Sequence, residues 1–183
     1  LGLAYSTPTN YIKASGTSTM KGFINENVGE DSLIVFDSRI YTARYFWLAA
    51  DKPFLDIQQF NEFYSYNQNL SNAEKKSTKI YFVECAVDDC GWGWVSQNQN
   101  LNQRAETFFE SIRSAGPTQE TIFEYRNSQN EIYGDKEKIE VYKIYVIETP
   151  LSPQLVQYTK QMQSFYLTPY LYLNMENYIF NYK

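Results

Sequence analysis

Ser32-Leu33-Ile34-Val35-Phe36-Asp37 is a continuous apolar run closed by an acid. A strand with one face in water alternates apolar and polar side chains. An unbroken run suits a strand covered on both faces, as in a parallel sheet. Lys79-Ile80-Tyr81-Phe82-Val83-Glu84-Cys85-Ala86-Val87 reads the same way and supplies a second buried strand. Two such strands need helices above and below them, and the intervening sequence provides helical periodicity. The fold class expected is therefore α/β, a layered, mostly parallel sheet flanked by helices.

Working outward, residues 1–17 are small and polar and read as a lead-in with room for one short strand. Residues 18–183 read as a single domain with an aromatic tail from Phe165. Ser18 to Asn27 is a short helix with Met20, Phe23 and Ile24 on one face, Ser18 or Thr19 as its cap and Gly29 as its stop. Ser38 to Ala50 is a helix capped by Asp37 or Ser38. Phe54-Leu55 is a short strand, and Asp56 caps a helix through Ile57, Phe60, Phe63 and Tyr64. Asn67 to Ser77 is polar and reads as a surface loop, Asp88 to Asn98 as an irregular loop. Leu101 to Ile112 is an amphipathic helix ended by Gly116-Pro117. Thr121–Tyr125 and Ile139–Ile147 are strands joined by a charged turn, expected as an antiparallel hairpin at an edge of the sheet. Pro153 opens a last helix through Leu155, Val156, Tyr158 and Met162.

The composition excludes several chemistries. The chain has no histidine, so a Ser-His-Asp triad, a Cys-His pair and an imidazole metal ligand are all ruled out. The net charge is −5, a poor match for a phosphate backbone, and no nucleic acid partner is expected. Aromatic residues make up 17% of the chain, including 17 tyrosines, whose apolar body and polar tip suit half-buried positions. No apolar stretch is long enough to span a bilayer. The chain opens Leu1-Gly2-Leu3 without methionine or a recognisable signal peptide, which implies a processed product or a segment of a longer protein.

The densest chemistry lies after the second strand, in Glu84-Cys85-Ala86-Val87-Asp88-Asp89-Cys90-Gly91-Trp92-Gly93-Trp94. The carboxyl end of a buried strand is where α/β proteins place their sites. Cys85 and Cys90, five apart, can close a small disulfide loop in an oxidising compartment and would be reduced in the cytosol. No second thiolate pair exists to complete a zinc site, so neither metal nor cofactor is expected. Asp88 and Asp89 with Glu84 or Asp37 could hold Ca²⁺ or Mg²⁺ or act as acid and base, although adjacent acids at a strand end more often form turns. Gly91-Trp92-Gly93-Trp94 lacks the Gly-Lys-Ser/Thr ending of a phosphate loop. Trp92 and Trp94 would stack on a sugar ring or cover the core. Asp37-Ser38-Arg39 ends the first strand beside this loop, and an Arg39–Asp pair there reads as a structural clamp. Asn69-Leu70-Ser71 matches the N-glycosylation pattern in a predicted loop. Asp37, Arg39, Glu84, Asp88, Asp89, Trp92 and Trp94 together form the candidate functional edge.

Two of these stretches resemble a known class. Asp31-Ser32-Leu33-Ile34-Val35-Phe36-Asp37-Ser38-Arg39-Ile40-Tyr41 with Arg44-Tyr45-Phe46-Trp47, and Phe82 to Gly93, resemble segments of archaeal membrane glycosyltransferases of the protein O-mannosyltransferase-like class. Weaker similarity runs through Glu140–Ile147 and the tyrosine-rich tail. The resemblance implies an extracytoplasmic soluble domain, membrane-tethered in its parent, whose partners are the parent's membrane portion and a glycan or protein acceptor. In that class the catalytic acid sits in a loop between the first membrane helices, which has no counterpart here. No catalytic residue is carried over, and the implied role is acceptor recognition or domain packing. The rival readings are a secreted carbohydrate-binding module using Trp92 and Trp94, and a carboxylate-dependent enzyme built on Asp88 and Asp89.

Overall fold

The computed structural model describes residues 9–14, 18–40, 42–49, 51–86, 98–127 and 138–166 of the 183-residue chain. They form six strands, β1 (Thr9–Ala14), β2 (Leu33–Phe36), β3 (Phe54–Asp56), β4 (Lys76–Cys85), β5 (Gln119–Asn127) and β6 (Lys138–Leu151). Five α-helices accompany them: α1 (Ser18–Asn27), α2 (Thr42–Ala49), α3 (Ile57–Gln68), α4 (Gln99–Ser114) and α5 (Pro153–Tyr166). The strands make one sheet in the order β1-β5-β6-β4-β2-β3. β1–β5, β2–β3 and β2–β4 are parallel, whereas β6 runs antiparallel to both its neighbours. One reversed strand inside an otherwise co-directional sheet makes the sheet mixed.

The apolar run that opened the sequence is β2, and all four of its side chains are buried. Period-two alternation explains why. Ile34, Phe36, Val83, Cys85 and Ile144 point to one face, where Met20 and Ile24 of α1 and Tyr45 and Leu48 of α2 cover them. Leu33, Val35, Ile80, Phe82 and Tyr145 point to the other, against Ile57 and Phe60 of α3, Phe109 of α4 and Val156 of α5. Both faces are dry, so neither parity can be polar. Burying each large side chain contributes about 1.5–3 kcal/mol. Many of the aromatics interlock within these layers. Tyr45 stacks on Phe36 at 4.5 Å, and Phe60 meets Phe82 edge-on at 5.3 Å.

The helix ends follow local chemistry. Asp56 caps α3 through a capping box: its carboxylate accepts from the Gln59 N–H at 2.8 Å, and the Gln59 carboxamide oxygen accepts from the Asp56 N–H at 3.1 Å. Asn98 caps α4 by accepting from the Leu101 N–H. Gly116, at φ 72°, takes the left-handed position just past that helix, where a Cβ would be strained.

Three expectations change. The hairpin β5–β6 exists, but it does not form the rim of the sheet: β1 pairs with β5 and β4 pairs with β6, so the hairpin lies inside. The second helix begins at Thr42 and not at Ser38, because the Asp37 carboxylate is held elsewhere. The segment 67–77 is only partly a surface loop. β4 already begins at Lys76, paired along the far end of β6, and Asn67 is buried. The Asn67 carboxamide donates to the Pro150 carbonyl at 3.1 Å and accepts from the Ser152 N–H at 2.9 Å, joining the end of α3 to the β6–α5 junction. Asn67→Ala leaves both backbone groups without these partners. It is expected to destabilise the domain by about 2 kcal/mol in urea unfolding, against under about 0.5 kcal/mol for the exposed neighbour Gln68→Ala.

Candidate functional site

The carboxyl ends of β2 and β4 lie side by side, with Phe36 in register with Val83. Asp37, directly beyond β2, is fully buried. Its carboxylate accepts from the Arg39 N–H at 2.9 Å, from the Arg39 guanidinium at 2.7–3.1 Å, and from the Cys85 N–H at 3.0 Å. Arg39 also donates Nη2–H to the Cys85 carbonyl at 2.9 Å and Nη1–H to Glu106 of α4 at 2.6 Å. The Tyr45 hydroxyl donates to the Asp37 carbonyl at 2.8 Å. Burial works against the Arg39 charge, but the Asp37 hydrogen bonds and charge, with Glu106, outweigh it and raise the guanidinium pKa above its ordinary value. Asp37 is therefore a splice between two parallel strands, and the partner of Arg39 is its own near neighbour.

Glu84 occupies the penultimate position of β4 on the opposite parity from Cys85. Arg113 of α4 donates to it at 2.6 Å, and the Tyr145 hydroxyl of β6 donates at 2.6 Å. Burial raises the Tyr145 pKa, and the hydrogen bond to Glu84 raises it further. Glu106 and Arg113 lie two turns apart on α4, so that helix is fastened to the strand ends at two points.

A third cluster sits on the other face of the sheet. Arg44 of α2 donates to both Glu140 and the Tyr142 hydroxyl, and the Tyr142 hydroxyl donates to Glu140 at 2.7 Å. Burial raises the Tyr142 pKa; the Arg44 charge opposes this and the Glu140 carboxylate reinforces it, leaving it well above the ordinary phenol value. Arg44 is likewise raised: burial opposes its charge, and Glu140 more than compensates.

The three buried acids among the described residues, Asp37, Glu84 and Glu140, thus each face an arginine, and both glutamates also accept from a tyrosine. An acid in such a setting is a charge-balanced acceptor with its lone pairs engaged. No three metal-ligating side chains converge among the described residues. Asp37, Arg39 and Glu84 come together at the carboxyl edge. Asp88, Asp89, Cys90, Trp92 and Trp94 lie outside the described residues. Cys85 is buried at the end of β4, and its pairing with Cys90 falls outside them too. Asn69 is exposed at the C-terminal cap of α3.

Sequence alone singles out none of Arg44, Arg113, Glu106 and Glu140 as site residues, although Arg44 and Glu140 fall in the stretches that carry the resemblance. One signal was present. Glu140 lies on β6 in phase with the buried positions Tyr142, Ile144 and Val146, and a carboxylate at a core phase demands a cation.

Beside Ser38, a groove of about 700 Å³ runs between α3 and α4, walled largely by uncharged polar side chains over Ile57, Leu101, Ala105 and Phe108. Compared with known proteins, the chain matches no family model, no curated protein and no solved structure.

Proposed function

We propose that this domain acts by binding and positioning and not by catalysis, as the extracytoplasmic part of a membrane-embedded glycosyltransferase-like protein, where it aids acceptor recognition or packs against the membrane portion. The observation that supports this most is the state of the carboxyl edge. The described acids there, Asp37 and Glu84, are engaged by Arg39 and Arg113, and these pairs fasten the ends of β2 and β4 to α4, at the position where an α/β enzyme presents its reactive groups. An acid so held has its oxygens engaged by partners that would have to leave before a substrate could take their place. The compartment is supported by the Cys85/Cys90 spacing and by the exposed Asn69-Leu70-Ser71 triplet. The membrane tether is drawn from the sequence resemblance.

The test uses the natural full-length protein in its own cells. This domain is expected to sediment with membranes and to be digested when protease is added to intact cells. The digested peptide carrying Cys85 and Cys90 is expected to gain the mass of two hydrogens on reduction. A soluble intracellular protein with two free thiols would overturn the assignment.

A further inference from the structure

We propose that the groove between α3 and α4 is a binding site for an uncharged, polyhydroxylated ligand, a short saccharide. The inference rests on the binding role proposed above and names the class of ligand. Gln58 and Asn61 lie three apart on α3, and Asn100 and Gln103 three apart on α4, so each pair shares a helix face and the two pairs line the groove together. Each carboxamide offers two N–H donors and one acceptor oxygen. All four side chains are exposed, and none of their carboxamides bonds to another described side chain or backbone group, so they are open to a ligand in the groove.

Charge selects among ligands. Arg104 is the charged residue lining the groove, and no described carboxylate lines it, in a chain with net charge −5. A cationic ligand would find no counter-charge. Two helix N-termini border the groove, at Ile57-Gln58 and at Asn100-Leu101. The Asp56 carboxylate caps the first and the Asn98 side chain the second, so a phosphorylated ligand would meet a carboxylate at one and find Arg104 as its one described cation. Vicinal hydroxyls, which donate and accept at once, match carboxamides on two walls. The half-buried Phe108 supplies an apolar surface for the C–H face of a sugar ring. The volume, about 700 Å³, falls within the range of roughly 300–1,000 Å³ typical of small-molecule sites.

Saturation-transfer NMR on the 183-residue chain with α-mannotriose and with the trimer of N-acetylglucosamine tests the assignment. Binding of at least one is expected. The double variant Asn61→Ala/Gln103→Ala, at two exposed positions, is expected to weaken it about tenfold or more without moving the thermal midpoint. Trp92→Ala is expected to bind as the unaltered chain does. Binding that survives the double variant and disappears in Trp92→Ala would overturn the groove assignment and leave the binding role standing. No response from the unaltered chain to either saccharide would overturn the groove and, with it, acceptor recognition as the domain's task, leaving packing against the membrane portion.

Discussion

Arg39→Ala is expected to destabilise the domain by about 3–5 kcal/mol, enough to unfold a marginal protein of this size. Asp37 has 0% of its side chain exposed, and Arg39 only 7%. Removing the guanidinium leaves a buried carboxylate with the Arg39 and Cys85 N–H groups as its remaining partners, and removes the Arg39 hydrogen bond to the Cys85 carbonyl. The contact with Glu106 matters far less, because that carboxylate is half exposed and keeps its hydration. Glu106→Gln should therefore cost less than about 1 kcal/mol. Urea unfolding of the two variants separates the contributions. A loss under about 1 kcal/mol in Arg39→Ala would mean that Asp37 is not the central splice described here. The double variant Asp37→Leu/Arg39→Met removes both charges and should be less damaging than Arg39→Ala alone.

Alkaline unfolding is the second large effect. Tyr142 and Tyr145 are held neutral, each raised first by burial and then by the glutamate it donates to, and burial raises Tyr45 well above the ordinary phenol value. In the unfolded chain these phenols ionise near pH ~10. Above that pH the unfolded state binds fewer protons than the native one, so stability falls as pH rises; below it the contribution is intact. The tyrosinate absorbance band is expected to finish growing in a cooperative step that coincides with loss of the helical circular dichroism. Tyr145→Phe should lower stability at neutral pH by about 1 kcal/mol yet weaken its alkaline dependence, because a group that must ionise has been removed. A gradual absorbance change with secondary structure still intact would show that the phenols are not held as described.

The elements most legible in sequence were those fixed by their own residues. β2 and β4 declare themselves because two dry faces allow no polar parity. α3 is announced by Asp56 and by the apolar face that follows it; the Gln59 bond that closes the capping box is equally local, within four residues of chain. What stayed hidden depends on which distant partner arrives. The β5–β6 hairpin is local, but its place inside the sheet is set by β1 on one side and β4 on the other. Asn67 looked like a loop residue in an Asn-rich stretch; its burial follows from the β6–α5 junction more than eighty positions away. Of the candidate edge, Asp37 and Arg39 were visible as neighbours. The identity of the cations facing Glu84 and Glu140 required knowing that α4 and α2 cover opposite faces.

The placement of β1 sets an order of events during synthesis. Its register matches Thr9 with Glu120, and β5 is bounded on its other side by β6, which must itself reach back to β4. Of the described strands, β1 is made first and pairs late, since β5 follows it by about a hundred residues. Contacts of such sequence separation slow folding. The β2-β3-β4 half of the sheet can pair as soon as it is made, whereas β1 joins only through β5 and β6, so the sheet is completed at the β1 edge.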